Sequence, residues 1–402
     1  MKNSSATERG DVANSAQLSW DPIRVLVVSS VVPNALGSGG ELILHRCLEL
    51  NPRIESEVVC WHQFPFRLKV IGKLRQLGFR SLSKAWECLF PVLPTDKLVH
   101  DLIHSFRPDV LVTVAHGWWH IKARRVAKQF KLPLVSLFQD WWPDFPEIPL
   151  AFRSRVEREF RQTCAESDVV VCVSDGMRRE LGEPENALVV HDAPSVATRR
   201  EDQCEFQLPL RVAYFGNLSD YGPLIENALR ALNSSDQVRL EVFGPSPLWT
   251  AGAEDEFRSR ELYHGFIPSN ELTESLQQFQ AALVVMSFAP SHRRRMTTSF
   301  PSKMIDAMQV GLPVVIWGPE YCSAVKWARS RERALCVTDP NPSAIVRVLE
   351  ELAAASAEQQ RLAKSSRETA ETDFNHERIQ AQFTNALRRA IQVNCAEQTH
   401  MS

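Results

Sequence analysis

A serine, a lysine and an aspartate within residues 299–306 are spaced so that they could bind a phosphorylated ligand. Ser299 is a favourable N-cap ahead of Pro301, whose missing N–H costs nothing in the first turn of a helix. The free N–H groups and the dipole of a helix start attract anions, and Lys303 adds a full positive charge. One turn further on, Asp306 could accept hydrogen bonds from a ribose. These positions predict a clamp for the pyrophosphate and ribose of a nucleotide sugar.

The helix that carries this clamp must be positioned by strands on either side. Residues 282–288 form a short apolar run that predicts a buried parallel strand before the helix. Gly311 suits the left-handed residue that ends a helix, and residues 313–317 predict the next strand. The segment therefore predicts strand, loop, helix and strand in that order, as in a parallel α/β sheet.

The whole chain repeats this alternation of short β-branched runs with longer helical patterns. Several runs are apolar throughout, which predicts burial on both faces and hence parallel sheets covered by helices. A first series of strands is predicted at residues 24–30, 57–61, 110–114, 134–138, 169–173 and 188–191. A second series is predicted at residues 210–215, 238–243, 263–266, 282–288, 313–317 and 334–337. The predicted fold class is α/β, with two tandem Rossmann-like doubly wound domains and an interdomain cleft at the carboxyl ends of their strands.

Domain boundaries follow from the polar stretches that lack periodicity. We predict a disordered tail at 1–20, a first domain at 21–194, a linker at 195–208, a second domain at 209–372, a C-terminal helix at 373–393 and a tail at 394–402. The C-terminal helix is expected to pack back toward the first domain.

The composition excludes several classes of protein. Of 402 residues, 44% are apolar and 23% are charged, and the formal charge of −2 provides no overall attraction for nucleic acid. The nine cysteines are widely spread, which is typical of reduced cytosolic proteins. No apolar run approaches the roughly 18 residues of a membrane span, and the first 18 residues lack the apolar centre of a signal peptide. We expect a cytoplasmic protein, with a peripheral position on the inner face of the membrane as the alternative.

Several short motifs occur in a characteristic order along residues 24–392. They are Gly39-Gly40-Glu41 and the segments 167–174, 214–218, 242–244, 264–268 and 299–315. Each is weak alone, and their order and spacing make the set specific. The chain thereby resembles a GT-B glycosyltransferase, in particular the retaining enzymes of glycosyltransferase family 4, which transfer sugars from nucleotide donors.

The resemblance implies a donor-binding role for each position that matches a family motif. The glycine loop would let the backbone approach the donor pyrophosphate, the second-domain loop would face the phosphates, a third segment would lie beside the base, and an acid would hold the ribose. The implied donor-binding residues are Gly39, Gly40, Gly216, Asn217, Gly265, Phe266, Ser302 and Asp306.

Departures from the family pattern concern charge. Many members carry a second acid eight positions before the one at Asp306, where this chain has Thr298. Many also carry an arginine and a lysine after the strand that ends at Gly216, where this chain has Asn217 and Tyr221. The charge must then come from Lys303 and from the loop 293–295, of which we choose Arg294. Nothing in the spacing shows which arginine points inward, and a solvated loop is the alternative.

His116 and Asp140 end consecutive predicted strands, so both side chains should point into the cleft. Family members use polar residues here to contact the transferred sugar or the acceptor hydroxyl. The resemblance thus implies donor-sugar contact for His116 and acceptor orientation or proton uptake for Asp140, which with Lys303 form the predicted catalytic set. A histidine that only caps a loop, and an aspartate with no role in the cleft, are the alternatives.

Each candidate polar residue is followed by a pair of tryptophans, Trp118-Trp119 and Trp141-Trp142. Aromatic faces stack well on sugars and on lipid chains, so one tryptophan of each pair, Trp118 and Trp142, is predicted to line the acceptor site. The other member of each pair is expected in the core.

Residues 64–93 combine basic and apolar side chains with a single acid, Glu87. Such a segment suits an anionic membrane surface, where a lipid-linked acceptor would lie. An ordinary solvated helix pair is the alternative.

The sequence analysis leads to a retaining, metal-independent, hexosyltransferase-like enzyme of polysaccharide biosynthesis. Its partners would be a nucleotide-sugar donor and a glycan or lipid-linked acceptor, with no nucleic acid. No cofactor or metal is expected, since no Asp-x-Asp or His-Glu-x-x-His motif occurs. A sugar-nucleotide epimerase-like enzyme and a catalytically silent GT-B binding protein are the alternatives. Donor sugar, base, acceptor and linkage stay open.

Overall fold

The computed structural model describes residues 21–37, 39–60, 97–194 and 208–400. The predicted tail at 1–20 and the basic segment 64–93 lie outside the described residues, as does the predicted linker except for residue 208.

Two parallel six-stranded sheets organise the described chain. The first sheet has the order β2-β1-β3-β4-β5-β6, and the second has the order β12-β11-β10-β7-β8-β9. The first six strands are β1 Ile23–Val28, β2 Ile54–Val59, β3 Val110–Val114, β4 Leu134–Phe138, β5 Val169–Cys172 and β6 Ala187–Val189. The second six are β7 Leu210–Phe215, β8 Val238–Phe243, β9 Tyr263–Gly265, β10 Ala281–Val285, β11 Val314–Trp317 and β12 Leu335–Val337. The predicted fold class, two Rossmann-like doubly wound domains, is confirmed.

Helices connect the parallel strands, because a parallel pair cannot be joined by a tight turn. Those of the first domain are α1 Gly40–Leu44, α2 Lys97–Phe106, α3 Trp119–Phe130, α4 Arg153–Ala165 and α5 Asp175–Glu180. Those after β7 are α6 Leu218–Ala231, α7 Ala253–Ser259, α8 Ser269–Leu276, α9 Arg293–Thr298, α10 Ser302–Val310, α11 Ser323–Arg329, α12 Pro342–Ala354, α13 Ser356–Thr372 and α14 His376–His400.

The apolar strands are buried on both faces, as their composition requires. Every residue of β3, β4 and β10 is buried. The last helix, α14, contributes Ile379, Phe383 and Leu387 to the core of the first domain. In addition, the Gln380 side chain donates a hydrogen bond of 2.9 Å to the carbonyl of Arg46. The chain therefore ends by crossing back onto the domain in which it began.

The structure corrects the predicted start of the phosphate-binding helix. Ser299 is the C-cap of α9 and not an N-cap, and α10 begins at Ser302 with Pro301 as its N-cap. The cause is local: a residue before proline is disfavoured in the helical region, so Phe300 breaks the helix. The predicted loop at 293–295 is likewise wrong, since it forms the first turn of α9. Gly311 ends α10 with a φ of 83°, as predicted.

Among the described helices, none combines the length and apolarity needed to cross a bilayer.

Candidate active site

Loops at the carboxyl ends of strands from both sheets meet around residues 297–299. The Ser299 hydroxyl donates a hydrogen bond of 2.7 Å to Oδ1 of Asp140, which follows β4. The Ser174 hydroxyl, which follows β5, donates one of 2.6 Å to the carbonyl of Thr298. A Cβ added at Gly176 of α5 would lie 1.8 Å from the carbonyl oxygen of Thr297. The two domains are thus in direct contact where a ligand cleft was predicted.

The start of α10 presents backbone N–H groups and one cation, as predicted. Within the described part of the chain, no side chain caps this helix start. Lys303 keeps 29% of its side chain exposed, and its Nζ lies 3.8 Å from Oδ2 of Asp306. The same ammonium lies 5.9 Å from the ring centroid of Phe215, the last residue of β7. The lysine is therefore placed at the carboxyl end of the central strand of the second sheet.

Asp306 has a partner that the sequence analysis missed. Its carboxylate is only 2% exposed, and its Oδ1 lies 3.2 Å from Nη1 of Arg46 in the first domain. Arg46 also donates a hydrogen bond of 2.9 Å to the carbonyl of Ala193. A charge pair from two domains thus occupies the position predicted to bind the ribose. Arg46 carries no local sequence feature that separates it from a surface arginine.

A second buried acid, Asp192, interacts electrostatically with both Arg46 and Asp306. Burial raises its pKa to about 8, the nearby charge of Arg46 opposes the rise, and the carboxylates of Asp140 and Asp306 add to it. The carboxyl group is therefore protonated below about pH 8, and it limits the negative charge in this part of the cleft. The sequence analysis did not select it.

His116 is half-buried, and burial lowers its pKa although Asp140 and Glu147 oppose the shift. The ring is therefore neutral over the range in which most enzymes work and can accept or donate a hydrogen bond. Its centroid lies 5.2 Å from the ring of Phe145 and 6.1 Å from that of Trp142.

The four tryptophans are all buried, including both of those predicted to line the acceptor site. Trp118 is 8% exposed and Trp142 is 4% exposed. Their rings meet edge to face at 5.1 Å, and Trp142 also packs on His120. Trp142 thus lies between Trp118 and the ring of His116, and the contact of either tryptophan with an acceptor stays a prediction.

The predicted donor-binding glycines lie at the start of α1, where Gly39 is the N-cap and Gly40 the first residue, and at the ends of β7 and β9. Gly39 has a φ of 53° and Gly265 a φ of 79°, which favour glycine. A Cβ at Gly40 would lie 2.4 Å from the side-chain oxygen of Gln139, the neighbour of Asp140. Gly216 follows β7, and Phe266, which follows β9, is 57% exposed.

Asn217 acts as the N-cap of α6. Its side-chain oxygen accepts hydrogen bonds from the backbone N–H groups of Ser219, at 2.8 Å, and Asp220, at 3.1 Å. This cap fixes the loop between β7 and α6, where the donor phosphates were predicted to lie.

The three consecutive arginines point in different directions. Arg293 is exposed and lies over the ring of Tyr321. Arg294, the predicted donor ligand, instead forms ion pairs with first-domain carboxylates, at 3.7 Å from Asp144, 3.3 Å from Glu157 and 3.2 Å from Glu180. Arg295 is buried and contacts Asp220 at 2.8 Å. The inward-pointing arginine is therefore Arg295, which lies on the buried side of α9 with Met296 and Thr298.

The hydroxyl of Thr298 donates to the carbonyl of Arg294 at 3.0 Å, so this side chain is committed to its own helix. Among the described residues, no group of three or more His, Cys, Asp or Glu side chains could hold a metal ion. The expectation of metal-independent chemistry stays a prediction.

One family model and several solved structures match this chain. Residues 47–191 match a family described as Glycosyltransferase Family 4. A search of curated proteins found no match to the chain.

Solved structures match over almost the whole length. HepE from Anabaena in complex with UDP-glucose is 15% identical with a TM-score of 0.61, and the match covers 91% of this chain and 99% of HepE. A glycosyltransferase from Rickettsia africae is 10% identical with a TM-score of 0.61, covering 92% of this chain and 99% of that one. A putative UDP-N-acetylglucosamine 2-epimerase from Listeria monocytogenes is 12% identical with a TM-score of 0.52, covering 91% and 96%. The predicted resemblance to family 4 and the GT-B fold are confirmed.

Proposed function

We propose that this protein transfers a sugar from a nucleoside diphosphate sugar to an acceptor hydroxyl, with retention of configuration and without a metal ion. The observation that carries the proposal is the hydrogen bond between Ser299 and Asp140. It joins the loop that precedes the anion-binding start of α10 to a first-domain carboxylate, so that donor and acceptor groups meet at one point.

The second domain supplies the electrostatic part of the mechanism. The donor diphosphate binds at the N–H groups that begin α10, beside Lys303. As the bond between sugar and phosphate breaks, negative charge grows on the departing nucleoside diphosphate, and the preorganised cation and helix dipole stabilise it. This arrangement supports leaving-group departure without a divalent ion.

The first domain supplies orientation. The carboxylate of Asp140 accepts a hydrogen bond from the acceptor hydroxyl once Ser299 releases it, and the neutral ring of His116 contacts the donor sugar. The hydroxyl attacks from the face that the diphosphate leaves, and its proton passes to the departing phosphate oxygen. One C–O bond forms as another breaks, and the configuration is kept because the new bond forms on the same face as the old one.

Asp306 holds the donor ribose in this proposal, with Arg46 bound to its other oxygen. Because Asp306 is 2% exposed in the closed arrangement, donor entry requires the two domains to separate. The acceptor is a glycan, a lipid-linked glycan or a polysaccharide precursor, and residues 64–93 would bring the enzyme to a membrane that carries such an acceptor.

A screen of nucleotide sugars for thermal stabilisation tests the donor half of the proposal. A ligand present at 100 times its dissociation constant stabilises the folded protein by about 2.7 kcal/mol. Because HepE was solved with UDP-glucose, uridine diphosphate sugars are the first probes. At least one nucleotide sugar should raise the unfolding temperature, and failure of all of them would support a silent binding protein.

The similarity to the Listeria epimerase keeps a second candidate function open. An epimerase converts its nucleotide sugar without an acceptor. Incubating the stabilising donor alone and analysing the sugar by NMR separates the two: conversion to an epimer supports the second candidate, and an unchanged donor supports transfer.

A further inference from the structure

Arg295 is a buried cation whose hydrogen bonding is incomplete. The residue lies in α9 and is 8% exposed. Its Nη2 donates a hydrogen bond of 2.8 Å to Oδ2 of Asp220. Its Nε and Nη1 are buried as well, and neither has a hydrogen-bond partner among the described residues.

Such an arrangement is costly unless something else completes it. A buried charged donor without an acceptor loses its hydration and gains nothing in return. Burial is the largest single influence on the pKa of Arg295, and it lowers that pKa. The hydrogen bond to Asp220 and the charges of Asp220 and Asp140 together outweigh burial. The pKa is therefore raised overall, and the group stays charged. An anion bound at Nη1 would complete the hydrogen bonding of the guanidinium.

The position of Arg295 indicates which anion. Its partner Asp220 lies in the first turn of α6, directly after β7. Lys303 approaches the same strand end at Phe215. Two cations from α9 and α10 thus border the loop at residues 216–217, which contains no basic residue of its own. A guanidinium stays charged and donates strong hydrogen bonds to phosphate oxygens.

The ring of Phe145, from the first domain, covers the guanidinium with its centroid 4.6 Å away. Nη1 is buried in this arrangement, and separation of the domains would remove Phe145 and uncover the guanidinium for an anion. This location agrees with the interdomain entry that the buried Asp306 requires.

We propose that Arg295 binds the diphosphate of the donor through Nη1 and that it supplies the positive charge which the loop after β7 lacks. This inference rests on the proposed function. It assigns to Arg295 the role that the sequence analysis gave to Arg294.

Comparing Arg295→Met with Arg293→Met tests the assignment. Both variants remove one arginine from α9, but Arg293 is exposed. Binding of UDP and GDP is measured by calorimetry, and binding of uridine and guanosine, which lack phosphate, by ligand-observed NMR. Arg295→Met should weaken the binding of UDP or GDP, whichever the wild type binds, by about 10- to 100-fold. This is the range expected for one hydrogen bond to a charged group. The same variant should leave the nucleoside unaffected, and Arg293→Met should bind as the wild type does.

A third variant, Arg295→Lys, guards against a folding defect, because it keeps the charge and removes only the planar fork. It should show an intermediate loss for the diphosphate. Unchanged diphosphate binding in Arg295→Met, or an equal loss of nucleoside and diphosphate, would overturn the assignment while leaving the proposed function intact. A wild-type protein that binds neither UDP nor GDP would instead overturn the proposed function, and this inference with it.

Discussion

Lys303 is the residue whose charge the proposed mechanism uses most directly. Its side chain is partly exposed and lies close to the end of β7. It stands at the start of α10, which none of the described side chains caps. A cation held in this way before the reaction begins stabilises the developing charge without reorganisation.

Replacing Lys303 by alanine should slow sugar transfer by about 10²-fold, the loss seen when one preorganised charge stabiliser is removed. Turnover is measured as release of nucleoside diphosphate in the presence of acceptor. Lys364→Ala is the matched control, because this lysine is 73% exposed on α13 and pairs with Glu368 on its own helix. Equal turnover in Lys303→Ala and wild type would remove Lys303 from the mechanism.

At the scale of elements, the contact between α5 and α9 holds the two domains together. Gly176 of α5 has no side chain, and a Cβ at this position would lie 1.8 Å from the backbone carbonyl oxygen of Thr297. Backbone cannot move aside as a flexible side chain can, so this glycine is required for close approach.

Gly176→Ala should therefore keep the domains apart and lower the rate of transfer by about 10-fold or more, as expected for a small displacement of reacting groups. Nucleotide binding to the second domain should change much less, and small-angle scattering should report a larger radius of gyration. Gly182→Ala serves as a control for backbone strain away from the domain contact, because its φ is 93° and its added Cβ has nothing within 4 Å. Wild-type activity in Gly176→Ala would show that this contact is dispensable.

Secondary structure could be predicted well because its determinants are local. The apolar runs at 110–114 and 134–138 form strands with the predicted bounds, since five buried residues in succession leave little choice. The N-cap predicted at Ser299 is wrong because Pro301 disfavours a helical conformation at Phe300, which would be the first residue of that helix.

Contacts between distant segments could not be predicted in the same way. Arg46 and Asp306 are 260 positions apart, and no local pattern relates them. The choice of Arg294 over Arg295 depended on whether residues 293–298 form a loop or a helix, because only a helix fixes which side chain points inward. The candidate site was thus predicted at the level of its motifs and revised at the level of individual side chains.

At the scale of the whole molecule, Arg46 connects three parts of the chain. Its guanidinium contacts Asp306 of the second domain and the carbonyl of Ala193, while its own carbonyl accepts a hydrogen bond from Gln380 of α14. The closed arrangement therefore depends on a buried charge pair together with a helix that returns from the second domain.

Removing one partner of a buried ion pair leaves an uncompensated charge, so Arg46→Met should lower the free energy of unfolding by about 3 kcal/mol. Asp306→Asn in the same chain removes the remaining charge and should recover part of that loss. Chemical unfolding of the two single variants and the double variant forms a complete cycle. Additive effects in this cycle would contradict a direct interaction between the two side chains.

Transfer with retention is tested most directly by the anomeric configuration of the product. The donor found by thermal stabilisation is incubated with the protein and a glycan and lipid extract of the cells that make it, and the new glycosidic bond is examined by NMR. The account predicts a glycoside with the same anomeric configuration as the donor sugar. An inverted product, or a donor converted to its epimer with no sugar transferred, would contradict it.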